Sequence, residues 1–163
     1  MKKLNILLAF MLISSLSITA QKAKKDYEYK NTKTAEKLFN ETKYQEAIVL
    51  FEKAYSKAKN TKEKGFITYH IAVSNQYIAN NKEAKKYYER ALRLKYDKYQ
   101  EDIYRRIAQM QMQDGEYKDA KRNFDRAVEK NPNDDIAKKG VEACKKVSGI
   151  LENKTKHKVE VVK

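Results

Sequence analysis

Three segments of this chain carry the same small–large–small pattern, and no other feature of the sequence restricts the fold as strongly. They are 44–54, built on Ala47, Phe51 and Ala54; 81–91, built on Ala84, Tyr88 and Ala91; and 117–127, built on Ala120, Phe124 and Ala127. Offsets of four and then three place the three side chains of each segment on one helical face. Two alanines on that face let a neighbouring helix approach at two points, and the ring fills the gap between them. The leading alanines fall at 47, 84 and 120, a period of 36 to 37 residues. One helix pair of that length cannot hide its own apolar face, so it must stack on the next.

Each repeated helix is preceded by another stretch with a helical apolar stripe. Ala35, Leu38 and Phe39 precede the first; Tyr69, Ile71, Ala72, Ile78 and Ala79 the second; Tyr104, Ile107, Ala108 and Met112 the third. Breaks fall near Thr42, at Asn80-Asn81 and at Gly115, and Asn131-Pro132-Asn133 stops the last repeated helix. The expected map is seven helices, at about 27–41, 44–59, 62–79, 82–95, 98–113, 117–130 and 134–151. Only four Gly and one Pro in 163 residues leave too few turn formers for a many-stranded sandwich or barrel. The stripe of Ile136, Val141, Cys144, Val147 and Leu151 is expected to lie against the third repeat as a terminal cap, with Lys138, Lys139, Lys145 and Lys146 facing water.

These residues resemble the tetratricopeptide repeat (TPR). The third repeat matches at Tyr104, Ile107-Ala108, Gly115, Ala120, Phe124, Ala127 and Pro132, with Gln111 where the family has Tyr. The second keeps Ile71-Ala72, Ala84, Tyr88 and Ala91 but has Thr68, Asn75 and Tyr96 at the first aromatic, tyrosine and proline places. The first keeps Ala35, Leu38, Ala47, Phe51 and Ala54, with Asn31 and Lys59 off the pattern. The resemblance implies an all-α solenoid of three helix–turn–helix repeats, at about 28–61, 65–98 and 101–134. A cap helix at about 134–151 completes a domain spanning 21–151, followed by a basic tail, 152–163. The two or three residues beyond the family's usual length are expected in turns around Thr61–Lys64 and Tyr99–Gln100.

Catalytic and metal chemistry find no support in the residues. His70 and His157 stand far apart without Cys or carboxylate at ligand spacing, so no metal is expected. The four glycines are isolated, which excludes a Gly-rich phosphate loop. No Ser or Cys has a recognisable base-bearing context. Cys144, the one cysteine, lies on the cap's apolar stripe and reads as a small buried hydrophobe. His70 is expected on a helix surface beside Tyr69. No enzyme and no cofactor are expected; what remains is binding.

In the tetratricopeptide family the first helix of each pair lines the concave groove. That register makes Tyr29, Thr32, Glu36 and Phe39, then Phe66, Tyr69, Val73, Gln76 and Tyr77, then Asp102, Arg105, Gln109 and Met112 the candidate lining. Phe39, Phe66, Tyr69, Val73, Gln76, Tyr77, Arg105, Gln109 and Met112 are the candidate partner-contacting set. Rings and an arginine among amides suit an extended peptide or a partner helix. The family's carboxylate-clamp subtype, which grips chaperone C-termini through Lys, Asn and Arg, is not expected, because Thr32 and Glu36 stand at the first Lys and Asn places.

The N-terminus reads as an address. Met1-Lys2-Lys3 is followed by the apolar run Ile6–Ile13 and then by small and polar residues up to Thr19-Ala20-Gln21. That order is the pattern of a secretory signal, 1–20, cleaved near Ala20. The run is interrupted by Ser14, Ser15 and Ser17, too short for a spanning helix, so no transmembrane span is expected after cleavage. The formal charge of +14 comes from 30 lysines and six arginines. With so little arginine for phosphate and base contacts, and with export expected, nucleic acid is excluded as a partner.

A looser resemblance joins the signal, the repeats, Gly140-Val141-Glu142-Ala143-Cys144 and the closing Val159–Lys163. Together these are similar to the head of Gram-negative envelope proteins in which such repeats precede a WD40-like propeller and an OmpA-like peptidoglycan-binding domain. Some of those serve type IX secretion. The implied role is an exported scaffold at the periplasmic face of the outer membrane, holding an envelope protein or peptide in its groove. Activities of the propeller and the peptidoglycan-binding domain do not carry over to this chain. The alternative is a cell-wall or outer-membrane factor that acts through its basic surface on an anionic polymer.

Overall fold

The computed structural model describes residues 29–161, with side chains to residue 153 in the last helix. The signal, 1–20, and the expected helix start at 27 lie outside the described residues. Seven α-helices follow in order among those described: α1 Lys33–Asn40, α2 Tyr44–Lys57, α3 Thr61–Tyr77, α4 Asn81–Arg93, α5 Gln100–Gln113, α6 Tyr117–Lys130 and α7 Asp135–Val161. Each helix packs on the next, and α5 also touches α7. No strand occurs among the described residues.

The repeated notches carry the packing. Ala47, Phe51, Ala54, Ala84, Tyr88, Ala91, Ala120, Phe124 and Ala127 are all buried. Phe51 sits in one apolar cluster with Ile67 and Ile71 of α3, Tyr88 in a second with Ile103 and Ile107 of α5, and Phe124 in a third with Ala137 and Val141 of α7. Each ring therefore packs against the helix that follows, between side chains four residues apart. At Phe124 the fit is closest: a Cβ on Gly140 would lie 2.5 Å from the ring's Cζ, so that position admits no side chain. Pro132 is exposed in the α6–α7 turn, where the Asp134 carboxylate accepts from Ala137 N at 3.0 Å and caps α7.

Residues that depart from the family pattern are held by local hydrogen bonds. Thr68 donates to Lys64 O at 2.7 Å, and Asn75 to Ile71 O at 2.9 Å. Gln111 accepts from Asn123 at 2.7 Å across the α5–α6 pair. Asn31 donates to Glu63, whose other carboxylate oxygen accepts from Lys59 N while Glu63 N donates to Asn60. This reciprocal cap starts α3 and ties the first repeat to the second.

Several expectations are corrected. The first helix starts at Lys33, after a turn in which Thr32 N bonds Tyr29 O at 3.1 Å. The extra residues expected in a turn at Thr61–Lys64 are instead helical, because the Asn60 cap begins α3 at Thr61. Those placed near Tyr99 form a short 3-10 turn, Asp97–Tyr99. The last helix runs ten residues beyond 151, so the expected tail is helical to Val161. Its stripe also divides: Val141 and Cys144 face the repeats, while Ile136 and Leu151 are exposed. Burial pushes the Cys144 thiol pKa up, which keeps it protonated and inert.

The three turns within the repeats each need one left-handed residue. Gly115 supplies it at φ 78°, but Thr42 and Ala79 adopt φ 60° with a side chain present. Thr42→Gly and Ala79→Gly should each raise stability by about 0.5–1 kcal/mol in urea unfolding, and Gly115→Ala should lower it by about 1 kcal/mol. Phe124→Ala should cost about 3–5 kcal/mol, read as a fall in melting temperature by circular dichroism. Gly140→Ala, which pushes into the same ring, should cost about 1–3 kcal/mol.

Candidate functional site

The first helices α1, α3 and α5 carry the residues expected to line a groove, and burial separates them into two groups. Phe66 and Val73 are buried in the repeat cores, so these two candidates are packing residues and not lining. Ring contacts explain the burial of Phe66, which turns toward Tyr29, its ring centroid 5.3 Å away, and toward the His70 ring at 4.1 Å. His70 is itself half-buried among Phe39, Phe51, Phe66, Tyr69 and Tyr99, not on an open surface. Its Nδ1 lies 2.9 Å from Phe66 O, a carbonyl that can only accept, so Nδ1 carries the proton.

Phe39, Tyr69, Gln76, Arg105, Gln109 and Met112 are partly exposed, and Tyr77 is 57% exposed. Tyr77 stacks on Tyr44 with centroids 4.5 Å apart and planes 15° from parallel, and Phe39 meets both rings edge-on. These three rings form a ledge where α3 passes the α1–α2 turn. Met112 rests against the third core cluster.

Farther along, the site is polar and organised on Asp102. Its carboxylate accepts from Tyr69 OH at 2.7 Å, from Arg106 Nε at 2.5 Å and from Arg105. Arg105 Nε also reaches Asp134 Oδ2 at 3.2 Å. Arg106 Nη1 donates to Gln76 Oε1 at 2.8 Å, and that oxygen also accepts from Tyr88 OH at 2.8 Å. Burial, reinforced by the Asp102 charge, pushes the Tyr69 phenol far above its ordinary range; burial also raises Tyr88. Both phenols therefore stay protonated donors.

Two arginines and two aspartates balance here, so Arg105 is not a lone cation awaiting a partner's carboxylate. Sequence reasoning missed Arg106. The signal was present, since Asp102 stands three and four residues before the two arginines and 33 after Tyr69, about one repeat. At the other end, the Thr32 hydroxyl contacts the buried Glu36 carboxylate and lies 2.8 Å from Tyr29 O, a pairing that puts an acid where a clamp would put amide and ammonium groups.

No protein-family model matches this sequence, and no curated protein is significantly similar to it. Solved structures do match. The first TPR domain of human RPAP3 aligns with TM-score 0.60 at 19% identity over 75% of this chain and 92% of that domain. The second TPR domain of human RPAP3, solved in complex with the HSP70 peptide SGPTIEEVD, aligns with TM-score 0.59 at 20% identity over 71% and 92%. The TPR domain of Sgt2 from Aspergillus fumigatus gives TM-score 0.59 at 18% identity over 76% and 80%. This chain has the tetratricopeptide-repeat fold. As a TPR array it presents a first-helix face with an aromatic end at Tyr77 and a charge-balanced end at Asp102. Among its described residues no cluster of three potential metal ligands occurs, and no helix is long and apolar enough to cross a membrane.

Asp102→Asn should cost about 2–3 kcal/mol, because it leaves two half-buried guanidiniums without their shared counter-charge. Tyr69→Phe, which removes one donor and keeps the ring, should cost only about 1 kcal/mol. Chemical denaturation of the two variants reads the difference; equal losses would mean that the Asp102 cluster is not the tie between the second and third repeats.

Proposed function

We propose that this TPR array is an exported scaffold that holds an extended segment of an envelope protein along its first-helix face. The observation that carries the reading is the Tyr44–Tyr77–Phe39 ledge, where the Tyr77 ring stays 57% exposed while the other described aromatics are buried or half-buried. Rigid aromatic rings give much contact area at small entropic cost, which is why they recur as anchors in binding surfaces. Gln76, Gln109 and Met112 continue the same face with amides and a pliable thioether. A related fold holds the peptide SGPTIEEVD. Glu36 at the groove's start and the internally paired Arg105 disfavour a peptide ending in such acidic residues, so the segment is expected to be neutral or basic. Export rests on the N-terminal pattern, and the envelope setting on the looser resemblance of the whole chain.

A photo-crosslinking residue at Tyr77 should trap one envelope protein in cells that make this chain, and the same residue at Val49, exposed on α2, should trap none. Tyr77→Ala should weaken capture of that protein about tenfold and move the melting temperature by less than about 2 °C. N-terminal sequencing of the protein from the periplasmic fraction should begin at Gln21; an N-terminus at Met1 in the cytoplasm would overturn the export reading.

A second reading has its own observation. Lys53, Lys57, Lys59 and Lys62 are all exposed around the corner where α2 passes into α3. Such a patch suits an anionic cell-wall polymer, and binding to isolated cell wall would then vanish between low and moderate salt.

A further inference from the structure

A repeat array ends in a helix whose outer face is polar, since nothing stacks on it. α7 departs from that rule. Its inner face, Ala137, Gly140, Val141 and Cys144, is buried against α6 and α5. A second apolar line runs along the same helix. Ile136 is 55% and Ile150 54% exposed, and Ala143 and Val147 lie half-buried between them. Ile136, Ala143 and Ile150 recur every seven residues and Val147 follows Ala143 by four, the spacing of a helix–helix seam.

Charge decides what fits this seam. Lys139 and Lys146 flank it on the open side, again seven apart, and both are exposed. Lys138 and Lys145 have partners in Asp135 and Glu142. Lys139 and Lys146 pair with no carboxylate among the described residues. An antiparallel second copy would set these lysines against the same lysines, a like-charge contact. A parallel copy would bring them against the flank that α6 already covers. A membrane surface fits poorly, because the seam is narrow, holds no aromatic ring and has Ala143 at its centre. That alanine instead lets a partner backbone come close. We propose that the outer seam of α7 docks an amphipathic helix of a partner protein whose flanking residues are acidic.

The test uses the full chain and a designed, fluorescein-labelled helical peptide of about 20 residues, long enough to be helical, with leucines on its seam and glutamates on both flanks. Fluorescence anisotropy should show binding that weakens about tenfold in Ile150→Ser and about tenfold with a control peptide carrying lysines in place of the glutamates. The double variant Lys139→Glu/Lys146→Glu should reverse the preference between the two peptides. Circular dichroism of these surface variants should match the parent. Failure to bind the acidic peptide, equal binding of the two peptides, or binding untouched by Ile150→Ser would each overturn the proposal. So would association with phosphatidylglycerol vesicles, or a dimer in sedimentation equilibrium, that Ile150→Ser abolishes. Crosslinking from Tyr77 reads a different face, so this seam and the groove stand or fall separately.

Discussion

An aromatic ring set between two alanines and driven into the next helix holds this molecule together. Tyr88, Phe51 and Phe124 are the largest fully buried side chains among the described residues, and each sits in a cluster that joins the second helix of one repeat to the helix that follows it. The alanines matter as much as the rings, since only a residue without bulk lets helix backbones close to the distance at which the ring fills the remaining space. At the third interface even an alanine is too large, and Gly140 lies beneath Phe124. Stacking, turns and groove are consequences of three such contacts in series.

Polar ties refine this apolar frame. Asn31 with Glu63 joins the first two repeats, and Asp102 with Tyr69, Arg105 and Arg106 joins the second and third. Half-buried charges are tolerable there because each arginine meets an aspartate. The cost falls on function: an arginine engaged by two aspartates has little charge left for a partner. The exposed ring of Tyr77, stacked on the half-buried Tyr44 of α2, is the part of the first-helix face least committed to the fold itself. The outer seam of α7 lies on a different side, so the array offers two separated surfaces that could bridge two partners.

Much of this was legible from the residues. The Ala–aromatic–Ala period identified the helices, their pairing and the buried face, because a repeat confirms itself three times over and each copy uses the same packing. The groove was legible only in part. Phe66 and Val73 share a helix with Tyr69 and Tyr77, and a period of 3.6 residues cannot say which of several adjoining apolar positions turns inward once a wide helix touches two neighbours. Thr61–Lys64 looked like a turn because spacing counts residues without showing that Asn60 and Glu63 cap a longer helix. The stripe on α7 appeared single in the sequence, and packing divided it into an inner and an outer line.

The amino-acid sequence by itself determined that this chain is a stack of helical hairpins, since small and large residues at fixed offsets leave one face and one period available. The tertiary structure alone decided which charges neutralise one another, which rings stay in water and which side of α7 remains open. Those outcomes depend on contacts between residues tens of positions apart, whose distances are set by how the hairpins superpose and not by any local pattern.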